Sequence, residues 1–198
     1  MSYPHLSILI PAAGASQRLG QAKQLVRHGT GTLIQNIVNT ANAINPLEVI
    51  VVTGANARAV TEDIKHLPVK CVHNPDWSAG MGGSIATGAK AINPRSRAVM
   101  ILLCDLWRLQ PPDLQLLTAT WQLTPDRIVC ARAAGQNMPP VIFPGSFLDQ
   151  LRMLEGQKGA RSLLREYAAL LTPVKLENAQ FDLDTQSQLK QIDSDNLS

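Results

Sequence analysis

Short apolar runs separated by helix-length amphipathic stretches constrain this chain more than any other feature. Residues 6–11 (LSILIP), 48–53 (EVIVVT), 69–73 (VKCVH) and 98–104 (AVMILLC) are mostly rich in β-branched residues, and most do not alternate with polar ones. Strands that are apolar on both sides are covered on both faces, as in a parallel sheet. Between them, Leu33, Ile34, Ile37, Val38, Ala41 and Ile44 recur at helical spacing over 32–44. Further helices are expected over 56–66 and 84–92, and Pro111, Pro112 and Asp113 open another over 114–123. This alternation predicts a three-layer α/β sandwich around a mostly parallel, Rossmann-like sheet. After a strand over 127–131, the proline-bounded run 139–144 (PPVIFP) reads as an antiparallel edge. Helices over 147–154 and 160–171, a strand over 174–176 and a turn at 181–185 are expected to follow. A polar tail from Asp193 reads as loose. The 198 residues contain no repeat or linker and fit a single domain over 1–198.

An apolar fraction of 45% gives the chain a real core and excludes wholesale disorder. Eighteen Lys+Arg against 15 Asp+Glu leave +3, with no basic run, so a nucleic-acid partner is not expected. No apolar stretch of about 18 residues is present, so no membrane partner is expected either. Residues 1–16 lack the basic start and apolar run of a secretory signal. Cys71, Cys104 and Cys130 lie in or beside apolar runs without C-x-x-C spacing, as buried reduced thiols do. The expected localisation is cytoplasmic.

In a sheet of this kind ligands bind beyond the carboxyl ends of the strands, so the following loops carry the chemistry. The first is Pro11-Ala12-Ala13-Gly14-Ala15-Ser16-Gln17-Arg18-Leu19-Gly20-Gln21-Ala22-Lys23. Its small residues let backbone N–H groups approach an anion, and Arg18 and Lys23 could clamp a polyphosphate. It matches neither a Walker A loop nor G-x-G-x-x-G. On composition alone it could equally be a flexible surface loop.

The second loop, 74–84 (NPDWSAGMGGS), ends in Ser84 at a position suited to capping the next helix. Gly82-Gly83-Ser84-Ile85-Ala86 is a degraded nucleophile elbow. His5, His28, His66 and His73 all precede Ser84, against the Ser-Asp-His chain order, and no strand runs directly into it. A serine hydrolase is therefore not expected. Asp105 ends the strongest apolar strand, where it could hold Mg²⁺ with phosphate oxygens or simply shape a turn. Alternation places Asp182 and Asp184 on one side of an extended segment, as ligands or as solvated turn carboxylates.

These segments, in this order, resemble the MobA-like nucleotidyltransferase family. Its signature loop is L-x-A-A-G-x-S-x-R-[ML]-G-x-x-K, matched by Ala12, Ala13, Gly14, Ser16, Arg18, Gly20 and Lys23. The A-A-G form is closer to the molybdenum cofactor cytidylyltransferase branch than to the guanylyltransferase branch. Residues 74–84 resemble N-P-x-W-x-x-G-M-x-x-S at every fixed position. Asp105 matches D-Q-P, with Leu106 and Trp107 replacing Gln-Pro. Residues 139–143 resemble G-H-P-V-L-F with Met138-Pro139 at Gly-His, and 156–161 resemble G-D-x-G-A-R with Gln157 at Asp. Asp182, Asp184, Thr185 and Leu189 match D-I-D-T-P-E-D-L.

The resemblance implies a nucleotide-diphospho-sugar transferase type of fold and Mg²⁺-dependent transfer of an NMP to a phosphate acceptor. It implies that Gly14, Arg18 and Lys23 wrap the triphosphate, with Ala12, Ala13 and Ser16 in the same loop. Gly80, Met81 and Ser84 would contact base and ribose. Asp105 with Asp184 or Asp182 would hold the metal, and Arg18, Lys23 and Asp105 form the catalytic set. CTP is implied before GTP, molybdopterin cofactor as acceptor, and a molybdoenzyme or its chaperone as protein partner. The departures fall mainly in segments implied to face the acceptor. They keep open a nucleotide-binding protein without transfer, and a sugar- or polyol-phosphate nucleotidyltransferase. An unpaired Asp105 would leave stability little changed, or raised, on replacement by Asn.

Overall fold

The computed structural model describes residues 3–195. In chain order its strands and helices are β1 (Tyr3–Pro11), β2 (Arg27–His28), β3 (Gly31–Thr32), α1 (Leu33–Asn42), β4 (Pro46–Thr53), α2 (Ala57–Ile64), β5 (Lys70–His73) and α3 (Met81–Lys90). There follow β6 (Ala98–Ile101), α4 (Pro111–Leu123), β7 (Ile128–Ala133), β8 (Gln136–Pro144), α5 (Leu148–Arg152), α6 (Ala160–Glu166), β9 (Leu171–Lys175) and α7 (Gln186–Asp195). One seven-stranded sheet has the order β5-β4-β1-β6-β8-β7-β9, and β2 and β3 form a separate two-stranded ribbon. Only β8 runs against its neighbours; the other sheet pairings are parallel.

Consecutive side chains of a strand point to opposite faces. Ile8 and Ile10 of β1 join Val49, Val51 and Met100 under α1, α2 and α4, through Ile34, Ile37, Val60, Leu114 and Leu117. Leu9, Ile50, Val52, Val99 and Ile101 pack the other face beneath α3, α5 and α6, through Ile85, Ala89, Leu151 and Leu163. Two-sided burial is why the runs do not alternate. Helix α1 starts at a capping box: the Gln35 N–H donates to Thr32 Oγ1 (3.3 Å) and the Thr32 N–H to Gln35 Oε1 (3.0 Å).

The antiparallel component is present but lies inside the sheet, not at its edge. Pairing with β6 runs from Val141 to Pro144, so Pro139 and Pro140 lie beyond it. On the other side a bulge between Cys130 and Ala131 carries the register from Val141 to Met138, skipping both prolines. Their missing N–H groups therefore break no ladder bond, and an interior strand tolerates them. Helix α7 takes in the first residues of the expected tail, 193–195. It runs to Asp195, because Ile192 and Leu189 pack with Leu19 and Trp107 in a third apolar cluster. The rest of the tail lies outside the described residues. Cys104 and Cys130 are buried, Cys71 is half-buried, and all three are free thiols.

Candidate nucleotide and metal site

Beyond the carboxyl ends of β1 and β6 lies a cleft of about 390 Å³, lined by residues 11–19, Lys23, Gln24, Trp77, Ser78, Gly80, Met81, Ser84, 103–105, Gln157 and Asp184. All the site residues read from the sequence except Asp182 therefore meet in one place. The chain doubles back from β1 to form it, and buried Gln24 sets the shape. Its Nε2 donates to the carbonyls of Ala12 (2.8 Å) and Gly14 (2.9 Å), tying the first loop to its own end. The Lys23 N–H donates to Ser16 Oγ (3.2 Å), and Ser16 sits at φ 55°. Ala12 and Ala13 are nearly buried, and the Ala12 N–H donates to the Val52 carbonyl, so that amide is not available to a ligand. Among the described residues the N–H groups of Gly14, Ala15, Ser16 and Gln17 have no protein acceptor. Consecutive free amides of this kind suit an anion.

Four charged side chains organise the cleft. Lys23 Nζ bonds to Asp105 Oδ2 and lies 3.2 Å from Asp184 Oδ1, while Arg18 reaches Asp184 Oδ2 at 3.0 Å. Lys23 and Asp105 are largely shielded from water; Arg18 is 74% exposed. Burial pulls the Lys23 pKa down, but Asp105 above all, helped by Cys104 and Asp184, reverses this and raises it above the ordinary value. Burial pushes Asp184 up, and Lys23 and Arg18 outweigh it, holding the carboxyl below its usual value. The Cys104 thiol is pushed up to about 12, by burial first and then by the charge of Asp105. It is inert as a nucleophile.

Asp105 Oδ1 is buried and has no hydrogen-bond partner. Among the described residues no group of three metal-ligating side chains occurs. Two hard carboxylates are nevertheless the donor type a divalent cation such as Mg²⁺ takes when its remaining ligands come from phosphate and water. Asp105 and Asp184 could hold such a cation.

Asp182 and Asp184 do not share a side. Asp182 lines a neighbouring cavity of about 290 Å³ with Leu106, Met138, Pro139 and Arg161. The segment is a single bridge, Asp182 to Leu106, followed at once by the turn into α7, so strand alternation does not apply. Burial, then the charges of Asp105 and Asp184, raises the Asp182 pKa.

One further expectation changes. Ser84 does not cap α3; it lies one turn inside, buried, and its Oγ accepts from Asn74 Nδ2 (3.1 Å). Gln157 lines the cleft of Arg18 and Lys23, while Arg161 of the same segment lines the cavity of Asp182. Trp107 lines neither of these cavities. Its ring packs edge-on to His28 (5.2 Å) and Phe181 (6.2 Å), and Arg108 stacks over Trp107 (4.6 Å) and Phe181 (4.2 Å). With Leu19, Leu33, Leu183 and Ile192 this ring fastens the first loop to the terminal segment.

The sequence reading missed Gln24 and Gln188. Gln188 Oε1 accepts from the Asp184 N–H, the Thr185 N–H and Thr185 Oγ1, each at 2.9 Å, and its Nε2 donates to Asp182 Oδ1 at 3.1 Å. Thr185-x-x-Gln188 is a capping box at the start of α7, and that pattern is the signal that could have marked it. Replacing Gln188 by Ala releases three donors and is expected to cost about 1–3 kcal/mol in thermal unfolding, through partly buried groups left unpaired. Metal affinity of the nucleotide complex is expected to fall several-fold because Asp184 loses its support. Unchanged metal affinity would remove Gln188 from this positioning role.

Comparisons with known proteins bear on the family and the fold. The profile of the MobA-like NTP transferase domain matches residues 8–170. The chain is 30% identical over 203 residues to nicotine blue oxidoreductase of Paenarthrobacter nicotinovorans, covering 96% of this chain and 97% of that protein. Among solved structures, Rv0371c of Mycobacterium tuberculosis H37Rv superposes with a TM-score of 0.86 at 22% identity, covering 97% and 98% of the two chains. A manganese complex of that protein gives 0.81 at 20% identity, covering 95% and 97%. CMP:2-keto-3-deoxy-manno-octonic acid synthetase complexed with CTP superposes with a TM-score of 0.76 at 13% identity, covering 96% and 97%. With the profile over residues 8–170 and the full-length Paenarthrobacter nicotinovorans relative, the chain belongs to the MobA-like NTP transferase family.

Proposed function

We propose that this protein transfers the NMP of an NTP, CTP first, to a phosphate on a small acceptor, and that molybdopterin cofactor is the acceptor. The observation that carries this reading is the convergence of Arg18, Lys23, Asp105 and Asp184 on one cleft at the carboxyl ends of β1 and β6. An acceptor phosphate oxygen forms a bond to the α-phosphorus, the bond to the bridging oxygen breaks, and pyrophosphate leaves with that electron pair. The acceptor is already ionised, so no general base is required. The protein contributes positioning and charge neutralisation. Amides from Gly14 onward bind triphosphate oxygens. Arg18 takes the outer phosphates, since it stands at the open side of the cleft. Lys23 takes an inner one. Mg²⁺, held by Asp105 and Asp184, would neutralise charge on the reacting phosphates.

Among the described residues no helix is long and apolar enough to cross a membrane. With three free thiols, we place the protein in the reducing cytosol. A molybdoenzyme or its chaperone would receive the product.

The test is pyrophosphate release with CTP, GTP, ATP and UTP, each with Mg²⁺ and with molybdopterin or a sugar phosphate as acceptor. Release that requires CTP and molybdopterin supports the reading; release with a sugar phosphate alone changes the acceptor. Nucleotide binding without turnover on any acceptor would leave a binding protein. That second reading is favoured by the apolar Leu106 and Met138 lining the cavity of Asp182, and by a full-length relative named as an oxidoreductase.

Two variants test the triphosphate loop. Arg18→Ala removes an exposed cation and should weaken CTP binding about tenfold while leaving the melting temperature nearly unchanged. A Cβ at Gly14 would meet nothing within 4 Å, so Gly14→Val should fold and yet block a ligand's approach. Wild-type CTP affinity in both variants, measured by calorimetry, would place the triphosphate elsewhere.

A further inference from the structure

Lys23 holds an unusual position for a phosphate-binding side chain. Its ammonium stands between Asp105 Oδ2 and Asp184 Oδ1, the seat that a cation bound to those two oxygens would take. Two cations cannot occupy one seat between the same oxygens. We propose that Lys23 is an internal counter-cation of the carboxylate pair, and that a divalent metal reaches the pair only in exchange for it. The triphosphate completes the exchange by giving the displaced ammonium a new anionic partner. Metal and nucleotide then bind interdependently. Each favours the same rearranged state, and the coupling is reciprocal. Before nucleotide arrives, Lys23 spares Asp105 and Asp184 the cost of two partly buried carboxylates facing each other. This rests on Asp105 and Asp184 being the metal ligands.

Lys23→Met keeps much of the bulk and empties the seat. Arg18→Met removes a charge of the same sign from the same Asp184 without touching the seat. Mn²⁺ binding is measured by electron paramagnetic resonance titration on nucleotide-free protein. Lys23→Met should bind Mn²⁺ about tenfold more tightly than wild type, within the usual range of coupling between sites. Arg18→Met should gain much less. Adding α,β-methylene-CTP should strengthen Mn²⁺ binding by a larger factor in wild type than in Lys23→Met, where the seat is already open. Equal or weaker binding by Lys23→Met, or an equal gain in Arg18→Met, would overturn the exchange.

A second measurement needs no variant. Saturating Mn²⁺ alone should speed reductive methylation of Lys23 in the wild-type protein, relative to exposed Lys65. An unchanged rate would overturn the proposal. Asp105→Asn separates the two failures. If it leaves Mn²⁺ binding to the α,β-methylene-CTP complex unchanged, the metal-ligand reading fails along with the exchange. If it weakens that binding while Lys23→Met gains nothing, the exchange fails alone.

Discussion

Asp105→Asn is expected to lower turnover by two orders of magnitude or more, since a catalytic metal supplies several kcal/mol of charge stabilisation and the amide removes the charge that holds it. The structure also reverses an expectation about stability. Asp105 is not an isolated charge. It is nearly buried and bonded to Lys23, so Asn leaves the ammonium with only Asp184 at 3.2 Å. Removing one member of a buried pair costs about 3–5 kcal/mol when nothing compensates. Because Asp184 remains, a loss of about 1–3 kcal/mol is expected in denaturant unfolding. Turnover and stability should fall together. Wild-type turnover at saturating Mg²⁺ would take Asp105 out of the site, and an unchanged unfolding midpoint would show that its pairing with Lys23 contributes nothing.

Gly80→Ala is expected to cause the largest loss of stability at a single atom's addition. Gly80 sits at φ 131°, which L side chains rarely adopt, and a Cβ there would lie 2.2 Å from the Gly156 carbonyl oxygen. The neighbour is backbone and cannot swing away: the same carbonyl accepts from the Gly82 N–H at 2.9 Å. Strain and overpacking each cost about 1–3 kcal/mol. Together, about 3 kcal/mol or more lowers the melting temperature by roughly 6–12 °C in a chain of this size. Gly14→Ala, with open space at its Cβ, serves as the control. A melting temperature within about 2 °C of wild type for Gly80→Ala would mean that the two loops part readily, by the same scaling. Gly80 therefore has a structural task apart from its expected contact with base and ribose. This glycine braces the second loop against residues 155–158, which bring Gln157 to the cleft wall.

The parallel half of the sheet was legible because strands buried on both faces must be continuously apolar, a property of single segments. Legible for a like reason were the two glycine-rich loops and Asp105, since loops at strand carboxyl ends and a carboxylate closing an apolar run are local patterns. The position of β8 was not legible. Whether prolines lie at an edge or in a bulge depends on the partner strands, and Pro139 and Pro140 sit where neither neighbour pairs with them. Helix α7 was hidden as well. Its sequence is polar, and its apolar contacts are distant residues, Leu19 and Trp107.

The amino-acid sequence alone determined which residues can bind phosphate or metal, because that capacity is chemistry of the side chain and its loop. Tertiary structure decided which of them act on one another. Lys23 meets Asp105 across 82 residues and Asp184 across 161. Asp184 lines the cleft while Asp182 lines the neighbouring cavity. Trp107 anchors the first loop by packing with Leu19. Each of these depends on the order in which strands assemble and on the packing of the terminal segment, and no window of neighbouring residues contains that information.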